Sequence, residues 1–126
     1  MGDVLGVADL LADPARFGGA RVAVVGWFVF EWEHRALYPS PAEAKTVPRR
    51  GVWVFQPEAV AGRRAAAALN RGWVRVVGEF GYSPRGGCGH FGGWPAMLGR
   101  LTELSRVDPP EQRHAEPGTA ADGGGM

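Results

Sequence analysis

Residues 21–28 read RVAVVGWF and residues 73–80 read WVRVVGEF. Aligned, the two stretches share Val22/Val74, Val24/Val76, Val25/Val77, Gly26/Gly78 and Phe28/Phe80. The shared apolar positions recur mostly at every second residue, the side-chain period of a β-strand. Each copy carries a glycine in mid-strand, where it weakens a flat sheet and marks a bulge or a sharp coil. Two long, bent strands in a chain of 126 residues predict a small closed or nearly closed barrel.

Working outward from these strands, residues 4–12 (VLGVADLLA) have apolar spacing suited to a short helix, with Asp13-Pro14 turning the chain after it. The first strand runs over Arg21–Phe30, with Val22, Val24, Gly26, Phe28 and Phe30 on one face. Glu31 to Arg35 continue or turn it, and Ala36-Leu37-Tyr38 belong to a second strand. Residues 39–50, with three prolines, read as a polar loop. Residues 51–55 (GVWVF) form a third strand. Pro57 suits the first turn of a helix over Glu58–Leu69, with Asn70 and Gly72 as its stop. The fourth strand is Trp73–Phe80, residues 81–96 make a glycine-rich loop, and a fifth strand covers Met97–Val107. The expected fold is mostly β: a small five-stranded OB-like Greek-key barrel with an N-terminal helix and a helix between strands three and four. Its core is expected to hold Val22, Val24, Phe28, Val52, Val54, Val74, Val76, Phe80, Leu98 and Leu101. Each buried large residue there contributes about 1.5–3 kcal/mol.

The expected organisation is one domain over residues 1–107 and a disordered, Pro/Gly-rich acidic tail over 108–126. The charge divides at the same point. Residues 1–107 carry 13 basic against 9 acidic side chains, whereas the tail carries Arg113 against Asp108, Glu111, Glu116 and Asp122. A body excess of this size lacks the dense basic stripe of a committed nucleic-acid binder. Cys88 is the one cysteine, so no disulfide forms within the chain and a reducing, cytoplasmic compartment is expected. No basic leader and no membrane-length apolar run is present in the sequence.

The ordered pieces Asp13-Pro14, Phe17, Gly19, Val22, Val24, Gly26, Glu31, Glu33, Leu37-Tyr38, Gly51-Val52-Trp53, Val74, Val76, Gly78, Gly89-His90 and Gly92 resemble a group of small uncharacterised bacterial OB-fold-like domains. The resemblance spans about residues 10–107 and rests on the order and spacing of its pieces. It implies the barrel fold and no particular activity. The loop before Gly89 is longer here and richer in glycine and arginine, and Ala-rich residues extend the link between strands three and four.

No complete catalytic set is legible in the sequence. Cys88-Gly89-His90 offers a thiol and an imidazole, but without a recognisable orienting group or oxyanion element. His34, Cys88, His90 and Glu31 or Glu33 would hold a metal only if two loops met. Glu31, Glu33 and His90 read as structural polar residues, the glutamates sharing one face of an extended strand with Arg35, Arg49 and Arg50 as ion-pair candidates. No cofactor is expected. The leading expectation is a non-catalytic binding module for a protein or peptide partner, contacting it through an exposed patch of Trp32, Tyr38, Trp53 and Trp94. The alternative is single-stranded nucleic-acid binding through Arg35, Arg49, Arg50, Arg75 and Arg85, with aromatic rings stacking on bases. A small enzyme or metal protein at Glu31, Glu33, Cys88 and His90 is the third reading.

Overall fold

A computed structural model describes residues 4–45, 50–83, 87–88 and 94–110. Most of the expected tail lies outside them, as do Arg49, Arg85 and His90. The six strands are β1 (Leu5–Gly6), β2 (Arg21–Glu31), β3 (His34–Tyr38), β4 (Val52–Val54), β5 (Gly72–Tyr82) and β6 (Ala96–Arg106). The helices are α1 (Val7–Ala12), α2 (Pro14–Phe17), α3 (Glu58–Ala61) and α4 (Arg63–Ala68), with a 3₁₀ turn at Glu43–Lys45. The sheet runs β1-β2-β3-β4-β6-β5, and β2 also pairs with β5, so strands β2 to β6 close into a five-stranded OB-like barrel. The β4–β6 pair is parallel and the other barrel pairs are antiparallel. The link from β4 to β5 carries α3 and α4, as expected for this strand order.

The two related strands lie side by side. β2 and β5 pair antiparallel over eight residues, with Val24 opposite Val76 and Val22 opposite Gly78. Their even-numbered residues face the barrel interior. All ten residues expected in the core belong to one cluster; nine are buried, and Leu101 packs against them partly exposed. The interior also takes Leu37 and Ala96.

The helices needed tertiary detail. Val7 and Leu10 of α1 are as buried as the barrel valines and join the same cluster, so α1 plugs the interior rather than resting on it. The expected single helix over residues 58–69 is two short ones, because Gly62 at φ +86° breaks the α-helical path between them. Asn70 and Arg71 then tie the link to β2. The Phe30 amide donates to Asn70 Oδ1 at 2.8 Å, and the Arg71 amide donates to the Phe28 carbonyl at 2.7 Å. No helix among the described residues is long and apolar enough to cross a membrane.

Candidate functional site: an aromatic groove at the hairpin tip

Strand register decides which aromatic side chains remain available. Trp27 pairs with Trp73 and with Tyr38, Val29 with Ala36, Ala36 with Trp53, and Trp53 with Met97. Directly paired residues share a sheet face, so all of these project outward. Ala36 is small, and the larger rings gather around it. Trp94, at the end of the glycine-rich loop, folds onto this face: its centroid lies 4.8 Å from Trp53 and 5.5 Å from His34. A two-way backbone bridge with Cys88 holds it there (Cys88 N–H to Trp94 O at 3.2 Å, Trp94 N–H to Cys88 O at 3.1 Å). His34 Nε2 and the Tyr38 hydroxyl are 2.6 Å apart. Val29, Ala36, Tyr38 and Trp94 thus form a second buried cluster outside the barrel wall.

This corrects the expected contact patch. Tyr38 is 0% exposed and Trp94 only 5%, because the two rings cover each other's face of the sheet instead of facing solvent. Trp53 is half-buried beneath Trp94, and Trp32 alone of the four is open, at 84%.

Trp32 owes its exposure to a two-residue connection. β2 ends at Glu31 and β3 begins at His34, whose backbones pair across the hairpin, leaving Trp32 and Glu33 at its tip. Glu33 adopts φ +59°, so it leaves the strand path. The expected shared strand face for Glu31 and Glu33 is therefore absent: the turn sends them apart. Beside the tip lies an open groove of about 490 Å³ lined by Trp32, Glu33, Arg35, Trp53, Phe55, Gln56 and Met97. It adjoins a second depression of about 700 Å³ that shares Phe55, Gln56 and Met97 and reaches Arg100 on β6. Phe55 is 47% exposed, another large apolar side chain left open to water here.

The backbone is unusual at the same place. Four non-glycine residues among those described have positive φ, and three of them, Glu33, Gln56 and Arg100, line these two depressions. Such conformations cost about 1–2 kcal/mol per residue and gather at binding and active sites. The sequence reading missed Phe55 and Gln56. Phe55 looked like the end of a strand, and nothing local announces that β4 stops at Val54.

No family model and no curated protein matches this chain. The chemistry of the groove therefore rests on its own side chains. Arg35 donates from Nη1 to Glu58 Oε2 at 2.8 Å and lies 4.8 Å from the Phe30 ring centroid. Both side chains of this ion pair are more than two-thirds buried.

The expected arginines among the described residues do not converge. Arg35 is engaged with Glu58, Arg75 pairs with Glu103 at 3.2 Å, and Arg50 lines a different depression beside Tyr82 and Pro95. Arg49 and Arg85 lie outside the described residues. Among the described residues no three His, Cys, Asp or Glu side chains gather as metal ligands would. Burial pushes the Cys88 thiol up, away from the thiolate that a nucleophile needs.

Glu31 makes the expected glutamate–arginine ion pair, with a partner that sequence reasoning had not named. Its Oε2 accepts from Arg71 Nε at 3.0 Å and from Asn70 Nδ2 at 3.4 Å. Burial alone would raise its pKa, but the hydrogen bonds from Arg71 and Asn70 together with the charges of Arg71 and His34 outweigh that and hold it below the usual 4.5. A folded-state pKa below the unfolded one stabilises the protein above the unfolded pKa, and the gain is lost as pH falls through the folded value. Urea titrations across the acid range below 4.5 are therefore expected to show a loss of stability that is smaller in Glu31→Gln. An identical acid dependence in both proteins would refute the assignment.

Proposed function

We propose that this chain is a non-catalytic binding module of the bacterial OB-fold-like kind, and that it docks a polypeptide partner in the groove between Trp32 and Phe55. The observation that carries this reading is a coincidence of position. Two of the four large apolar side chains left exposed among the described residues, and two of the four non-glycine residues there with positive φ, line one groove of about 490 Å³. Exposed aromatic rings around a depression are the usual anchors of protein recognition, where a few such residues carry most of the binding energy. The barrel carries them on a hairpin tip and at the end of β4. Of the arginines named for nucleic acid, the three among the described residues do not gather: Arg35 and Arg75 are held in ion pairs and Arg50 lines a separate depression, which favours the polypeptide over the polyanion.

The test uses two variants outside the core. Trp32→Ala and Phe55→Ala are expected to leave stability within about 0.5 kcal/mol of the parent, because neither ring is buried. Each is expected to weaken partner binding by at least tenfold, about 1.4 kcal/mol. The measurement is capture of a partner from a lysate of the native host by the immobilised full chain, followed by titration of that partner against parent and variants. A captured protein that binds both variants as tightly as the parent would sink the proposal.

A further inference from the structure

We draw no further inference here: the strongest candidate, the aromatic groove beside the β2–β3 hairpin tip with the depression that adjoins it at the end of β4, belongs to the site already described, and nothing in the structure shows what covers it.

Discussion

Tyr38→Ala is expected to destabilise the protein by about 3–5 kcal/mol, the range for truncating a buried aromatic ring. Tyr38 is completely buried, and it occupies the centre of the outer cluster with Val29, Ala36 and Trp94. Removing the ring opens a cavity under Trp94 and deprives His34 Nε2 of its 2.6 Å hydroxyl partner. Tyr38→Phe separates the two contributions. It keeps the packing and loses the hydrogen bond, at a cost of about 0.5–1.5 kcal/mol. Chemical denaturation of the three proteins reads both differences. The contrast with Trp32→Ala is the informative part, because the two residues looked equivalent in the sequence. Equal, small effects of Tyr38→Ala and Trp32→Ala would mean that the outer cluster is not packed as described.

The second large effect is expected at the corresponding glycines of the related strands, Gly26 and Gly78. Gly78→Ala should cost about 1–3 kcal/mol or more, the range for overfilling a close-packed site. A methyl group there would stand 2.7 Å from the Gly99 carbonyl oxygen, which is backbone and cannot step aside alone, and 2.7 Å from Leu101 Cδ2. The contact sits at the irregularity in the β5–β6 ladder between Val77 and Glu79, where Arg100 takes φ +48°. Gly26→Ala is expected to cost less. Its closest neighbour, Val7 Cγ2 at 2.7 Å, is the end of a side chain, although the Tyr38 carbonyl at 3.1 Å limits the escape. Gly99→Ala is the control, since nothing lies within 4 Å of its added methyl group. Thermal unfolding of the three variants should rank Gly78→Ala below Gly26→Ala, and Gly26→Ala below Gly99→Ala. A reversal of the first two would show that the bulge adapts more readily than α1 does.

These two glycines also show how far the sequence could be read. Their place in mid-strand announced a departure from a flat sheet, and the structure has one at Gly78. At Gly26 the reason is different: the absent side chain leaves room for Val7. The apolar residues shared at every second position of the two strands were enough to name the interior faces, because period two leaves a strand only two faces. The link over residues 58–69 reads as helix through its alanines, yet Gly62 adopts a conformation that ends α3 and starts α4 anew. Helix propensity is local, whereas that break lets the chain turn over the barrel.

The candidate site was legible only in part. Trp32 and Trp53 are groove residues, whereas Tyr38 and Trp94 share only their aromatic character with them and are buried. What separates them is strand register and the path of a distant loop. Tyr38 shares a face with Trp27, Ala36 and Trp53, and Trp94 arrives from beyond β5 to cover that face. Phe55 became a site residue because β4 ends after three residues, which no local pattern encodes. The Trp32-Glu33 turn has neither glycine nor asparagine to advertise it. The Glu31–Arg71 pair joins residues forty positions apart.

Alternation and glycine placement, both properties of neighbouring residues, therefore pointed to a small barrel and nearly all of its core, and the order of the elements along the chain pointed to its OB-like strand order. Which aromatic rings are buried and which are offered to a partner was decided by tertiary structure. Exposure depends on what a remote segment lays over a face, and that is settled only when the strands have paired.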